Sequence, residues 1–290
     1  MAIAAEGSTK ASWGFGADDE IVPGLRTQKL LGGGHRYEAY LALDEDLHYL
    51  VVAKVLRPDQ VDDEDARAAL RREARVLRAV EHPVIARGFG AQPDGPRPHL
   101  RVEFVEGPRL STLVRRFGCL SIDQVVPLAV ELGSALHSMH RRGYVHLDVK
   151  PTNTIMGSPP RLIDLSVARS IERAARLDHP VGTDAYMAPE QANPSAGTAV
   201  GPSADVWGLA VTTYEAIAGR LPFPDEDGFP QLRHEPSELD RQVPTPLADA
   251  IQAALAFDPA DRPTPAAFAA ALAPLLDRAP RVVLSRLKPR

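Results

Sequence analysis

The chain has 290 residues, which is enough for one large domain or two small ones. Apolar residues make up 44% and charged residues 24% of the sequence, a balance that excludes wholesale disorder. With 33 basic and 38 acidic residues the net charge is −5, so the chain as a whole is no nucleic-acid-binding polycation. The single cysteine, Cys119, excludes an internal disulfide framework and a zinc site built from several cysteines.

The basic residues are divided unevenly between arginine and lysine. Of the 33, five are lysines and the other 28 are arginines. Lysine carries a compact ammonium and arginine a planar fork, so each lysine retained in such a chain deserves a chemical explanation. Lys54 and Lys150 are the only lysines between Lys29 and Lys288.

The first elements in chain order form a small, mainly β region. Residues 1–24 are rich in glycine, serine and alanine, lack the apolar core of a secretory signal, and are predicted to form a flexible N-terminal arm. Apolar alternation predicts strands over 25–31, 37–43 and 49–56. Helical spacing follows over 62–80, and two more short strands fit 86–91 and 98–105.

The rest of the chain is predicted to be mainly helical. Ser121 and Gln124 form a capping-box signature for a helix that continues to about Met139. Thr264 precedes Pro265, a typical start for a last helix that ends near Leu276.

The predicted fold class is therefore α+β with two lobes. The small lobe, mainly β with one helix, covers about 25–104, and the larger, mainly α lobe covers about 108–276. Residues 277–290 are predicted to form a basic C-terminal tail. The sequence has no run of about 18 apolar residues, so we expect no integral membrane segment and a cytoplasmic location.

The segment 146–153 is the first of several motifs that carry chemistry. It reads His-Leu-Asp-Val-Lys-Pro-Thr-Asn and places Asp148, Lys150 and Asn153 within six residues. Phosphoryl transfer uses such a set: a carboxylate for the attacking hydroxyl, a cation on the phosphoryl oxygens and an amide oxygen on Mg²⁺. Taken alone, the segment fits a polar surface loop equally well.

Three further features are weak when taken singly. Asp164 follows a short apolar run and could bind a divalent metal, although aspartate is common at turns. Lys54 lies inside an apolar strand, where Glu73 on the next helix is a candidate partner; a snorkelling lysine is the alternative. Glycines at 32–34 would let backbone N–H groups approach phosphates, but such a run is more often a hairpin turn.

In this order and at these spacings, the motifs resemble those of a eukaryotic-like (Hanks-type) bacterial serine/threonine protein kinase over about residues 25–276. The signature of that family is a glycine-rich loop, V-A-I-K, H-R-D-L-x-x-x-N, D-F-G and A-P-E. The matching segments here are 32–34, 52–54, 146–153, 164–166 and 188–190. The ordered set is far more specific than any one of its parts.

The resemblance implies a role for each motif residue, with ATP and Mg²⁺ as cofactors. Asp148 would be the catalytic base and Lys150 the cation near the γ-phosphate. Lys54, positioned by Glu73, would hold the α- and β-phosphates. Asn153 and Asp164 would be the Mg²⁺ ligands. The residues implied to contact the nucleotide are Leu31, Gly32, Gly33, Gly34, Ala39, Ala53, Lys54, Val102, Glu103, Phe104 and Val105.

The same resemblance implies structural ties and partners. Glu190 would pair with Arg262, and Asp205 would brace the backbone of the catalytic loop. Thr183 lies before the A-P-E motif and fits a Ser/Thr acceptor in a protein substrate. Nucleic acid is not an expected partner, and a homodimer is left open.

Three positions depart from the pattern of the family. Leu147 replaces the arginine of H-R-D, which in the family pairs with a phosphate on the activation loop. Ser166 replaces the glycine of D-F-G, and Tyr37 replaces the third glycine of the phosphate loop. Because Leu147 cannot bind a phosphate, the sequence predicts activity without phosphorylation of the activation loop.

Two other functions compete with a protein kinase. A pseudokinase that acts as a nucleotide-binding scaffold would accommodate the three departures, but it would be expected to lack at least one of the reactive groups. A small-molecule phosphotransferase on the same fold is disfavoured by the peptide-docking motif over 182–190.

Overall fold

The computed structural model describes residues 11–276 and contains two compact units. The first comprises the chain up to Glu106 together with Ile163–Arg169, and the second comprises Gly107–Leu162 and the chain from Ser170 onward. The chain thus passes from one unit to the next within the predicted junction at 104–108. The predicted basic tail, 277–290, lies outside the described residues.

The first unit is built on a six-stranded antiparallel sheet with the order β1-β2-β3-β4-β6-β5. Alternate side chains of the central strands point to its core, as the twofold period of a strand requires; Tyr40, Val51 and Val55 are almost fully buried. Its elements are β1 (Glu20–Val22), β2 (Leu25–Gly33), β3 (Tyr37–Asp44), β4 (Tyr49–Leu56), α1 (Glu64–Ala79), β5 (Gly88–Gln92) and β6 (His99–Glu103).

The α-helix described in this unit, α1, has Asp63 as its N-cap. The Asp63 carboxylate accepts the backbone N–H groups of Asp65 and Ala66, and so caps the helix. The apolar face of α1, which includes Leu70 and Leu77, is buried, and the helix packs on β5 and β6. Strands β2 to β6 and the helix fall where the apolar pattern predicts them, whereas β1 lies in the segment predicted to be an arm.

Residues 11–24 pack against this sheet, which differs from the flexible arm predicted over 1–24. The ring of Trp13 stacks on Phe15 with 5.9 Å between centroids, and the Arg97 guanidinium lies over both rings. Composition alone does not predict this contact. The two aromatic side chains bury enough apolar area to order a segment that is otherwise rich in glycine and serine.

The second unit is mainly helical. Its elements are α2 (Leu110–Phe117), α3 (Ile122–Arg141), β7 (Tyr144–Val145), β8 (Thr154–Ile155), β9 (Arg161–Leu162), β10 (Arg169–Ser170, at the boundary of the units), α4 (Ile171–Ala174), α5 (Pro189–Ala192), α6 (Pro202–Ala218), α7 (Thr245–Ala254) and α8 (Pro265–Leu276). Helix α6 is apolar on every side and almost wholly buried, so it forms the centre of this unit, with α3 packed on it and on α8.

Both predicted helix starts are present. The Gln124 side chain accepts the Ser121 N–H at 3.1 Å, and the Thr264 hydroxyl accepts the N–H of Ala267 at 3.2 Å. The α+β prediction is therefore confirmed. Among the described helices, none combines the length and the apolar character needed to span a bilayer.

Candidate active site

In the first unit, Lys54 lies between two carboxylates. Its strand, β4, pairs with β3 and β6, so Lys54 lies opposite Ala39 on one side and Leu100 on the other. The Lys54 Nζ is 2.5 Å from Glu73 Oε1 and 2.8 Å from Asp164 Oδ1. The predicted pair of Lys54 and Glu73 is present, and Asp164 joins it.

Electrostatics keep Lys54 and Asp164 of this cluster charged. Burial by itself lowers the pKa of Lys54, but the carboxylates of Asp164 and Glu73 outweigh burial and hold that pKa above its usual value. Burial likewise raises the pKa of Asp164, but the ammonium of Lys54 overcomes this and holds it below its usual range. Burial raises the pKa of Glu73, and the Lys54 ammonium only partly opposes this, so the anionic carboxylate that suits a divalent cation is that of Asp164.

The glycine-rich turn at 32–34 joins β2 to β3 through a tight backbone. The Gly34 N–H donates to the Tyr37 carbonyl at 3.0 Å and closes the turn. A Cβ on Gly33 would lie 2.5 Å from the same carbonyl, so only glycine fits there. Leu31, just before the turn, keeps its side chain 40% exposed.

Tyr37, at the position of the third glycine, turns its side chain inward. Its hydroxyl is buried and has no hydrogen-bond partner among the described residues. Burial, together with the carboxylate of Glu73, raises the pKa of Tyr37 to about 12. The phenol is therefore neutral and lies in the electric field of the Lys54 cluster.

The other residues implied to contact a nucleotide lie on the same sheet or at its exit. Ala53 on β4 and Val102 on β6 are buried. Glu103 ends β6, where its N–H donates to the carbonyl of Arg87 at 2.8 Å and its Oε2 accepts the N–H of Arg87 at 3.0 Å. Phe104 and Val105 follow, half-buried, just before the chain leaves the first unit.

In the second unit, Asp205 on α6 holds the start of the catalytic loop. Its Oδ2 accepts the N–H of His146 at 2.8 Å, and its Oδ1 accepts the N–H of Leu147 at 2.7 Å. His140 Nε2 lies 2.8 Å from Oδ2. Burial raises the pKa of Asp205, but the hydrogen bond with His140 outweighs burial and lowers it. The predicted brace is confirmed.

Asp148 and Lys150 meet at the hydroxyl of Thr183, and Asn153 supports Asp148. Asp148 Oδ1 accepts the Thr183 hydroxyl at 2.7 Å, and Oδ2 accepts the Asn153 Nδ2 at 2.9 Å. The Lys150 Nζ lies 2.7 Å from Asp148 Oδ2 and also donates to the Thr183 hydroxyl. A buried carboxylate, an ammonium and a hydroxyl thus share one hydrogen-bond network, which is the arrangement that proton transfer from an alcohol needs.

The two candidate metal ligands offer oxygen donors of the right kind. Asn153 uses its Nδ2 for the carbonyl and the carboxylate of Asp148, which leaves its Oδ1 for a hard cation. Asp164 provides an anionic carboxylate. Over 11–276 the structure holds no group of three or more His, Cys, Asp and Glu side chains that could form an all-protein metal site. The donors fit Mg²⁺, which usually combines one or two protein ligands with the phosphates of a substrate.

A buried ion pair fixes the end of the activation segment. The Arg262 Nη1 and Nη2 donate to the two carboxylate oxygens of Glu190, each at 2.8 Å. The guanidinium also donates to the carbonyls of Ala256 and Phe257 and lies 5.0 Å from the ring centre of Trp207. The predicted tie is confirmed, and its bidentate geometry gives it direction as well as strength.

Comparison with known families gives this geometry its class. Residues 25–272 match the protein kinase domain family, and the chain therefore belongs to the protein kinase family.

Curated relatives narrow the resemblance. Serine/threonine-protein kinase PknB of Mycobacterium leprae is 31% identical over 249 residues, which cover 80% of this chain and 40% of the relative. PknA of Mycobacterium tuberculosis is 30% identical over 250 residues, 82% of this chain and 57% of the relative. Serine/threonine-protein kinase pkn2 of Myxococcus xanthus is 33% identical over 235 residues, 76% of this chain and 28% of the relative. The resemblance to bacterial kinases is confirmed, although the match with PknB spans only about two-fifths of that relative.

Sequence reasoning missed two buried glutamines, of which Gln191 contacts the catalytic loop. Gln191 directly follows the A-P-E motif, and that adjacency could have drawn attention to it. Gln231 lies in a short 3-10 helix, Pro230–Leu232, that carries no motif, and only the folded chain brings it next to residues 184–187.

Proposed function

We propose that this chain is an ATP-dependent serine/threonine protein kinase, which transfers the γ-phosphoryl group of Mg-ATP to a Ser or Thr hydroxyl of a protein substrate. The observation that carries the proposal is the Asp148 network. Asp148 accepts a hydroxyl at 2.7 Å, while an ammonium lies 2.7 Å from its other oxygen. A base that already holds one alcohol in this geometry is suited to receive another alcohol in the same way.

In the proposed reaction, Asp148 accepts the proton of the acceptor hydroxyl. The oxygen of that hydroxyl bonds to the γ-phosphorus, and the bond from phosphorus to the departing ADP oxygen breaks. Lys150 supplies positive charge for the phosphoryl oxygens, since its Nζ lies beside the same carboxylate. Thr183 keeps its hydroxyl on Asp148 and so marks the place of the substrate.

We propose that the first unit holds the nucleotide. Lys54, which its carboxylate partners keep charged and in place, would bind the α- and β-phosphates. Asp164 would act as a Mg²⁺ ligand, and so would the Oδ1 of Asn153 in the second unit; Mg²⁺, when bound, neutralises phosphate charge. Because ATP is the donor, we place the reaction in the cytoplasm. The residues proposed to surround the nucleotide are Leu31, Gly32, Gly33, Gly34, Ala39, Ala53, Val102, Glu103, Phe104 and Val105.

Activity is proposed to need no phosphate on the activation loop. Leu147 stands where the family has an arginine that binds such a phosphate. The hydroxyl of Ser170 accepts the N–H of Arg173 at 3.3 Å and caps α4, while the hydroxyl of Thr183 is held by Asp148. These two hydroxyls are already used inside the fold.

The test is transfer of radiolabel from ATP, with Mg²⁺, to a generic basic protein. Wild-type protein treated with phosphatase is compared with Asp148→Asn. We expect the treated wild type to transfer phosphate and the variant to be slower by about 10²-fold or more, the usual contribution of a general base. Equal signals from the two proteins would contradict the proposal. Loss of activity on phosphatase treatment would contradict independence from phosphorylation, and ATP binding without transfer would favour a pseudokinase.

A further inference from the structure

Two buried glutamines hold the segment 181–187, here called the docking loop. Gln191 and Gln231 are each only 2% exposed. The Gln191 Nε2 donates to the carbonyl of Leu147 at 2.7 Å and to the carbonyl of Val181. The carboxamide therefore ties the first residue of the docking loop to the catalytic loop.

Gln231 makes the matching contact at the other end of the docking loop. Its Nε2 donates to the carbonyls of Asp184 and Met187, each at 2.9 Å. Thr183, whose hydroxyl bonds to Asp148, lies between the points that the two glutamines hold.

The contact at Gln191 is close enough to restrict the loop itself. A Cβ on Gly182 would lie 2.5 Å from the Leu147 carbonyl and 2.7 Å from the Gln191 Nε2. Gly182 also has a φ of +129°, which other residues rarely adopt. The docking loop thus lies directly against Leu147 with no space for a side chain between them.

The contacts that hold the docking loop suit an uncharged side chain that donates two hydrogen bonds. The four partners are backbone carbonyls, which only accept hydrogen bonds, and a carboxamide nitrogen provides two protons without adding a buried charge. Leu147 already gives its N–H to Asp205, so its carbonyl is the group that links it to the loop. A buried carbonyl left without a donor carries a desolvation penalty.

We propose that Gln191, assisted by Gln231, is a positioning residue that holds the docking loop on the catalytic loop and keeps Thr183 on Asp148. The inference rests on the proposed kinase function: Leu147 offers no cation for a phosphate, and the docking loop is held instead by hydrogen bonds from inside the fold.

The test compares Gln191→Met and Gln191→Glu with wild type, and uses Gln252→Met as the matched control because Gln252 is exposed on α7. Methionine has nearly the shape of glutamine but donates no hydrogen bond. We expect Gln191→Met to raise the KM for the protein substrate about tenfold, the loss expected for unpaired buried carbonyls, with the KM for ATP unchanged. Glutamate would place acceptors against acceptors and should be worse than methionine. Gln252→Met should match wild type.

Hydrogen exchange supplies a readout that needs no activity. Amides of the docking loop should exchange faster in Gln191→Met, while those of α6 stay as in wild type. Gln231→Met should have a smaller effect. The Gln231 Oε1 is buried and has no partner among the described residues, so removing it relieves a desolvation penalty and offsets part of the loss.

Wild-type kinetics and exchange in Gln191→Met would overturn the inference, as would equal increases in both KM values with faster exchange throughout the chain. Inactive wild-type protein would instead contradict the proposed function, and the exchange experiment would still decide the role of Gln191.

Discussion

Lys54 in the first unit and Lys150 in the second are both held by carboxylates, but the number of carboxylates around them differs. Lys54 contacts two carboxylates, Glu73 and Asp164, and its side chain is 14% exposed. Lys150 contacts one carboxylate, Asp148, and the hydroxyl of Thr183, and its side chain is 18% exposed. The first ammonium therefore contacts two carboxylates, whereas the second contacts one.

This difference separates two tasks. In the proposed function, the second carboxylate beside Lys54, that of Asp164, would bind a divalent cation together with its phosphates. At the Lys150 site one carboxylate faces one ammonium. In the proposed function, a substrate hydroxyl takes the place of the Thr183 hydroxyl on Asp148. The first region would therefore bind a charged ligand, and the second would exchange one hydrogen-bonded hydroxyl for another.

The largest effect is expected from Lys54→Arg. A planar guanidinium is longer and wider than an ammonium and cannot sit 2.5 Å and 2.8 Å from the two carboxylates in the same buried volume. We expect kcat/KM to fall by about 10²-fold, as it does when a reacting group is misplaced by about 1 Å. The measurement is the same transfer assay, with Lys29→Arg, on the exposed part of β2, as the matched control. Full activity in Lys54→Arg would contradict the assignment of this site.

A smaller effect is expected from Lys150→Arg. The guanidinium keeps its charge and finds a carboxylate and a hydroxyl, not two carboxylates, so the change should cost about tenfold in kcat, below the roughly 10²-fold for loss of such a donor. The KM for ATP should stay near its wild-type value. A loss as large as that of Lys54→Arg would remove the distinction between the two sites.

The smallest effect on activity is expected from Trp13→Ala. The Trp13 Nε1 donates to the Leu56 carbonyl at 2.7 Å, at the end of the strand that carries Lys54. Because Trp13 is only half-buried, we expect a loss of about 2 kcal/mol in unfolding free energy, less than for a fully buried tryptophan.

Denaturant unfolding measures this change, with Phe117→Ala as the control because Phe117 is 60% exposed in the second unit. The KM for ATP should rise about twofold, and the KM for the protein substrate should not change. A rise in the KM for the protein substrate alone would contradict this prediction, because Trp13 lies in the first unit, which is proposed to hold the nucleotide.

Much of this protein was predictable from local patterns. Strands β2 to β6, helix α1 and the starts of α3 and α8 follow from alternation, helical spacing and capping residues, all of which act over a few residues. The pairs of Lys54 with Glu73 and of Glu190 with Arg262 were predicted through the ordered motifs.

Other features depended on the fold. The prediction of a flexible arm does not hold over 11–24, because Trp13 and Phe15 contact Arg97, a residue far along the chain. Amino-acid composition cannot predict such a long-range contact. The link between Asp164 and Lys54 also joins residues that are distant in sequence.

The sequence by itself determined the family and indicated the candidate reactive groups, because spacing within short motifs decides which side chains one loop or strand can present. Only the tertiary structure decided how those groups are held. Gln191 and Gln231 lack a distinctive pattern, and their value arises when folding brings backbone carbonyls within reach of their amide protons. The lysines illustrate the two contributions. The sequence alone makes Lys54 and Lys150 stand out, because most basic residues of this chain are arginines. The number of carboxylates around each lysine is a property of the fold.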